Sequence, residues 1–117
     1  MQIVKLIPLP QVGNSPSTLT AVADVLNEQG DEGFEVATVE TTNKFNSMAQ
    51  AGMNLRVGKR FEYNVVQFSF KTPLRAQEAM DRAGKDGWEL VCIYSQGSNN
   101  MATVAVLKRE LCVEPAD

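Results

Sequence analysis

The sequence predicts an α+β fold built as a tandem βαββ repeat, with a mainly antiparallel sheet of about six strands and two helices on one face. Three observations predict it. A glycine-rich segment at residues 30–36 recurs at residues 84–90. The same order of strand-like and helix-like patterns surrounds both copies. The length of 117 residues suits one compact domain, which we divide into repeats 1–60 and 61–110 and a tail 111–117.

The recurring segment reads Gly-Asp-Glu-Gly-Phe-Glu-Val in the first half and Gly-Lys-Asp-Gly-Trp-Glu-Leu in the second. Both glycines and the glutamate are identical. At two further positions the residue type is kept, because Phe34 aligns with Trp88 and Val36 aligns with Leu90. Agreement at a fixed offset indicates an internal repeat.

The first half opens with an apolar, strand-like run that ends at Pro8. A helix follows, because residues 15–17 (Ser-Pro-Ser) supply capping chemistry and an early helical proline. Its apolar residues then recur at helical spacing, and they are Leu19, Val22, Ala23 and Leu26. We expect Gly30 to end this helix with a positive φ, which glycine adopts without steric cost.

The second half repeats this order. Thr72 and Pro73 start a second helix, and Gly84 ends it in the same way as Gly30 ends the first. The apolar stripe of this helix is thinner, and it consists of Ala76, Ala79, Met80 and Ala83.

The remaining elements are strands. Alternating apolar residues predict strands at residues 34–38 and 66–70, and a nearly continuous apolar run predicts an interior strand at residues 88–94. A β-rich run at residues 102–107 is its hairpin partner across a polar loop. A right-handed crossover from each first strand to its hairpin puts both helices on one face. Each half is predicted to close with a strand that ends in a Lys-Arg pair, Lys59-Arg60 in the first half and Lys108-Arg109 in the second.

Composition and charge exclude several classes of function. Hydrophobic residues make up 44% and charged residues 21%, which is typical of a folded globular chain. A net charge of −3 provides no field for a phosphate backbone, so we expect no non-specific nucleic-acid binding. The absence of histidine excludes histidine-based catalysis and histidine metal sites. We expect no catalytic residue, no metal and no cofactor.

The predicted location is the cytoplasm. The apolar run before Pro8 is too short for a signal peptide, and no run reaches membrane-spanning length, so we expect no membrane association. Cys92 and Cys112 lack a close pairing motif, and we interpret both as reduced thiols.

Three stretches of the second half carry a family resemblance, and they are Tyr63-Asn64-Val65-Val66, residues 84–91 and Val106-Leu107-Lys108-Arg109. With them, residues 61–110 resemble the short bacterial and phage domains of unknown function that have a Gly-x-x-Gly-Trp-Glu-Leu turn and a closing Leu-Lys-Arg strand. The first half departs from this pattern, with Phe34 for the tryptophan, Gly58 before its Lys-Arg pair and longer loops. The resemblance implies a fold and brings no activity.

Six repeated residues are interpreted as structural, and they are Gly30, Gly33, Phe34, Gly84, Gly87 and Trp88. The glycines follow a helix, whereas a phosphate-binding loop precedes one. The two aromatic rings are expected to cover the helix–sheet junction, with ligand stacking as the alternative. Glu35 and Glu89 are expected in cross-strand ion pairs, with Lys108 or Arg109 near Glu89, in preference to a pair of catalytic carboxylates.

Loops provide the candidate partner-binding residues. Residues 41–54 are predicted to form a long loop whose apolar side chains dock on a partner or fold back on the domain. The candidates are Phe45, Met48 and Met53, together with Asn99 and Asn100 in the shorter second loop.

The leading hypothesis is a non-enzymatic module that binds itself or a partner protein through strand edges or the 41–54 loop. The alternative is a small-ligand binder that sequesters an anionic metabolite or signalling nucleotide at the seam between the repeats. Its four cationic residues are Lys59, Arg60, Lys108 and Arg109.

Overall fold

A computed structural model of the chain describes residues 3–12, 16–41, 49–68, 73–96 and 102–111. These ranges contain six strands and two helices. In chain order they are β1 (Val4–Leu9), α1 (Pro16–Asp31), β2 (Phe34–Thr41), β3 (Ala49–Leu55), β4 (Arg60–Phe68), α2 (Pro73–Lys85), β5 (Glu89–Gln96) and β6 (Ala102–Leu111). The predicted α+β class is confirmed.

The strands form two three-stranded sheets in place of the single sheet that the sequence predicted. Their orders are β1-β3-β2 and β4-β6-β5, and every pairing is antiparallel. β4 does not extend the first sheet, because α1 packs against its free edge. α1 also contacts β2, whereas α2 contacts β5. The helices therefore do not share one face of one sheet.

The second and third strands of each sheet pair in the same register, shifted by 54 residues. The pairs are Glu35 with Asn54 and Glu89 with Lys108, and Thr41 with Ala49 and Ser95 with Thr103. Each hairpin also contains a β-bulge, and the bulges lie at Val36/Thr38 and Leu90/Cys92. The two hairpins are thus alike in length, register and irregularity.

The predicted loop at residues 41–54 is wrong in its second part. β3 begins at Ala49, and Met53 lies in it with 1% of its surface exposed. Small residues with low β-propensity, such as Ala51 and Gly52, hid this strand from sequence patterns. It forms because β1 and β2 pair with it on both sides.

The helices end later than predicted. Gly30 and Gly84 lie inside α1 and α2, and the positive φ angles belong to Gly33 (96°) and Gly87 (87°). The Gly87 N–H bonds the Gly84 carbonyl at 3.1 Å, and the Trp88 N–H bonds the carbonyl of Ala83 at 3.0 Å. This pair of bonds is a Schellman motif, in which the left-handed position falls to the second glycine.

The first Lys-Arg pair does not close a strand. β3 ends at Leu55, and Lys59 lies in the turn before β4, which begins with Arg60. In the shared register, Lys108 corresponds to Asn54 and not to Lys59. The two Lys-Arg pairs are therefore not equivalent.

The core lies around α1 and draws on both sheets. α1 contributes Val22 and Leu26, which are fully buried. The two sheets contribute residues to the same cluster, among them Met53, Tyr63 and Val106. None of the described side chains of α2 is buried. The first helix is central to the fold, and the second is peripheral. No helix of the described ranges is long and apolar enough to cross a membrane.

Candidate functional site

Each of the four cationic side chains of the predicted anion site forms an ion pair with a carboxylate. The pairs are Lys59 with Glu110 at 3.3 Å, Arg60 with Asp31 at 3.1 Å, Lys108 with Glu35 at 2.7 Å, and Arg109 with Glu62. An anionic ligand would have to displace these carboxylates to reach the cations. The arrangement therefore weighs against an anion site at the seam.

Lys108 makes the best-shielded of these pairs. Its register partner is Glu89, but its Nζ donates to Oε2 of Glu35 in the other half, so the expected pairing is corrected. Only 15% of the Lys108 side chain is exposed. The hydrogen bond from Lys108 holds the pKa of Glu35 below its ordinary value, burial opposes this shift, and a second bond from Arg56 supports it. The pair joins the two sheets.

Arg109 and Trp88 form a second structural cluster. The guanidinium carbon lies 4.3 Å from the centre of the Trp88 ring, which is cation–π geometry. Nη1 donates to the Asp86 carbonyl at 3.1 Å, and Nη2 pairs with Glu62. Trp88 is half-buried, whereas Phe34 is buried in the core. One face of the Trp88 ring is therefore occupied by the Arg109 guanidinium.

The predicted partner-binding residues do not form a site. Phe45, Met48, Asn99 and Asn100 lie outside the described residues. Met53 belongs to the core, where it packs beside β1 and β2 and is closed to a partner.

The apolar residues that do face solvent lie at β1. Ile3, Val4 and Leu6 are exposed, Val4 at 62% and Leu6 at 64%, and we call these three residues the β1 patch. Lys5 alternates with Val4 and Leu6 and points to the opposite side, where Nζ donates to Oε1 of Gln29 at 2.7 Å. β1 is an edge strand, so one of its two backbone edges has no strand partner among the described residues. The β1 patch combines exposed apolar side chains with a free strand edge, which is a favourable combination for protein binding.

The corresponding edge of the second sheet is covered. β4 is also an edge strand, but Asn27 of α1 lies against it. The Asn27 side chain accepts a hydrogen bond from the Tyr63 N–H at 2.6 Å and donates to the Tyr63 carbonyl at 3.1 Å. One amide side chain thus replaces a neighbouring strand at this point.

Tyr63 adds a second link beneath the helix. Its hydroxyl donates to the Phe34 carbonyl at 3.0 Å and accepts from the Val36 N–H at 2.8 Å. These groups lie on β2, an edge strand of the other sheet. Burial raises the pKa of Tyr63 to about 12, with the bond from Val36 opposing the shift and the charge of Glu35 adding to it. Tyr63 is therefore a neutral structural group.

Three further large apolar side chains are exposed in the second half, and they are Leu74 of α2 and both Leu90 and Ile93 of β5. The sequence patterns revealed neither these residues nor the β1 patch. Residues 3–7 are apolar at four of five positions, so alternation could not show which face of the strand is uncovered.

The described residues offer no assembled chemical centre. Among them, no three acidic or cysteine side chains cluster so as to hold a metal ion. Cys92 is a free, partly buried thiol, and burial raises its pKa to about 11. A thiol with a raised pKa is a poor nucleophile at neutral pH.

We compared the chain with models of protein families, with curated proteins and with solved structures, and found no match in any of the three comparisons.

Proposed function

We propose that this protein is a non-enzymatic interaction module that binds itself or a partner protein through the β1 patch. The observation that carries the proposal is the exposure of Val4 and Leu6 on an edge strand. Adjacent exposed apolar side chains cost free energy in water, and a docked protein surface removes that cost. The paired cations at the seam favour this function over the sequestration of an anionic ligand.

We also propose that the chain is a tandem duplication of one βαββ unit, with residues 61–110 as the copy that resembles the bacterial and phage domains. Three observations support the duplication: the common strand order of the two sheets, the common register shifted by 54 residues, and the bulges at corresponding sites. A cytoplasmic location suits the free thiol of Cys92.

The test uses one charge substitution in the β1 patch and one matched control. Leu6→Glu places a carboxylate in the patch, and Val57→Glu makes the same kind of change in the turn after β3, where Val57 is 89% exposed. Sedimentation velocity reports self-association. Affinity capture with quantitative mass spectrometry reports a partner.

We expect a self-association or a partner that is retained by Val57→Glu and lost by Leu6→Glu. Circular dichroism and urea unfolding should show that both variants are folded, because both side chains are mainly exposed. A monomeric wild type with no retained protein, or an association that Leu6→Glu leaves intact, would refute the proposal.

A further inference from the structure

We propose that the β1 patch is covered by helix α2 of a second copy of this chain, in a contact that repeats the α1–β4 contact within the chain. This inference rests on the proposed function and names its partner. Within the chain α1 packs on β4, and the surfaces of α2 and β1 correspond to the two sides of that contact.

The α1–β4 contact is close and specific. Asn27 bonds both backbone groups of Tyr63. One helical turn later, Gly30 lies so near the strand that a Cβ built on it would meet the Phe61 carbonyl oxygen at 2.1 Å. The strand side chains Tyr63 and Val65 are buried. A glycine therefore permits the helix backbone to approach the strand.

β1 corresponds to β4 through the register of the sheets. Val4 pairs with Asn54 as Tyr63 pairs with Lys108, and Asn54 and Lys108 are the equivalent residues opposite Glu35 and Glu89. By the same count Leu6 corresponds to Val65. Tyr63 and Val65, the buried residues of β4, thus correspond on β1 to Val4 and Leu6, which are exposed.

α2 corresponds to α1 through the positive-φ glycines, Gly33 and Gly87. The same shift of 54 residues relates Gly30 to Gly84 and Asn27 to Asp81. Around Gly84 a Cβ would meet no described atom within 4 Å. The counterpart of the close approach at Gly30 is therefore open in the part of the chain that the structure describes.

The polar chemistry of α2 also fits a strand edge. Asp81 accepts a hydrogen bond from Nε2 of Gln77 at 2.9 Å, and both side chains are exposed. Together they present an acceptor and an amide donor, as the single Asn27 side chain does on α1. The Asp81 carboxylate can accept from the Val4 N–H, and Gln77 can donate to the Val4 carbonyl. A charged acceptor makes the first of these bonds stronger than its neutral counterpart.

A second copy is the favoured occupant because one chain carries both surfaces of the proposed contact, α2 and the β1 patch. Two copies related by a twofold axis satisfy both, with α2 of each on β1 of the other, and the assembly closes as a dimer. Pairing of two β1 edges is disfavoured, because Pro8 lacks the N–H that a continuous ladder requires.

The test separates the two sides of the contact with two variants. Gly84→Gln fills the open position on α2, and Leu6→Glu charges the β1 patch. In the monomer Gly84→Gln has free space and replaces a helical glycine, so urea unfolding should show equal or greater stability. Native mass spectrometry and sedimentation velocity on the full chain report assembly.

We expect a wild-type dimer and a monomer for each variant alone. An equimolar mixture should form a heterodimer, because Leu6→Glu supplies an intact α2 and Gly84→Gln supplies an intact β1. This heterodimer keeps one contact of two, so its dissociation constant should exceed that of the wild type by about tenfold or more. Isotope labelling of one variant distinguishes the heterodimer by mass.

Three results would overturn the inference. A dimer that Gly84→Gln leaves intact would show that another surface holds it, and the proposed self-binding function would survive. A mixture that stays monomeric would refute the pairing of α2 with β1. A monomeric wild type would refute the second copy as occupant, and the proposed function would then depend on a captured partner that Leu6→Glu releases.

Discussion

Gly30→Ala should destabilise the protein although it improves the helix. A Cβ at this position would lie 2.1 Å from the Phe61 carbonyl oxygen and 3.0 Å from the Tyr63 ring. Overpacking of this kind forces a backbone shift, here about 1 Å, and costs roughly 1–3 kcal/mol. That shift would also break the two Asn27 bonds to Tyr63, which contribute roughly 0.5–1.5 kcal/mol each. Against this stands a gain of about 1 kcal/mol from replacing a helical glycine.

The balance is a loss of about 3 kcal/mol in the free energy of unfolding, measured by urea titration with an unchanged slope. Gly84→Ala is the matched control, since its Cβ would meet no atom of the described ranges within 4 Å. At a concentration where the chain is monomeric, this control should gain about 1 kcal/mol. If Gly30→Ala is as stable as the wild type, or if both variants shift stability equally, α1 does not lie this close to β4.

Three further predictions concern the buried polar groups. Tyr63→Phe removes the hydroxyl that bonds the Phe34 carbonyl and the Val36 N–H, and it should lower the free energy of unfolding in urea by about 1–3 kcal/mol. Tyr94→Phe should be neutral or stabilising, because the buried Tyr94 hydroxyl has no hydrogen-bond partner among the described residues. Burial raises the pKa of Tyr63 and Tyr94, the two tyrosines of the chain, to about 12. Ultraviolet titration should therefore show no tyrosinate near pH 10, and the free energy of unfolding should fall as the pH rises from 10 through 12. Ionisation with a midpoint near 10 would contradict this. The hydrogen bond from Lys108 lowers the pKa of Glu35, so the pair stabilises the fold above the ordinary carboxyl pKa of 4.5 and loses this effect as the pH falls through the lowered value. Lys108→Met should therefore lower the free energy of unfolding by about 1.5–3 kcal/mol at neutral pH and by progressively less in acid. A cost independent of pH would refute the role of the pair.

The order of the elements could be predicted from the sequence because its signals are local. Capping residues, helical spacing and the repeated glycines lie within a few positions of the structure they determine. The third strand of the first half was expected to end at Lys59-Arg60, whereas β3 ends at Leu55. Its alanines and glycine carry no strand signal, and its two neighbours make it a strand. The positive φ was expected at the first glycine of each pair, but the helix continues through that glycine and the second one adopts it.

The division into two sheets and the candidate site depended on contacts between distant residues. Nothing near Asn27 in the sequence shows that its amide binds a strand 36 residues later. Lys108 has a carboxylate opposite it at Glu89, yet it pairs with Glu35 through the approach of the two sheets. Exposure of Val4 and Leu6 follows from which strand α1 covers, and that choice is made by tertiary packing.

Helix α1 serves both sheets, and this sharing makes the two halves mutually dependent. Phe61, Tyr63 and Val65 of β4 belong to the buried cluster that also contains Val22 and Leu26 of α1, and a fragment that begins at β4 would lack this part of the cluster. In the proposed duplication, an ancestral single unit would have carried one sheet with that same face bare, and only a neighbouring unit could have supplied the missing helix. Assembly would then be older than the fusion of the two copies, and the covalent link would have made permanent one of the contacts that separate chains first formed.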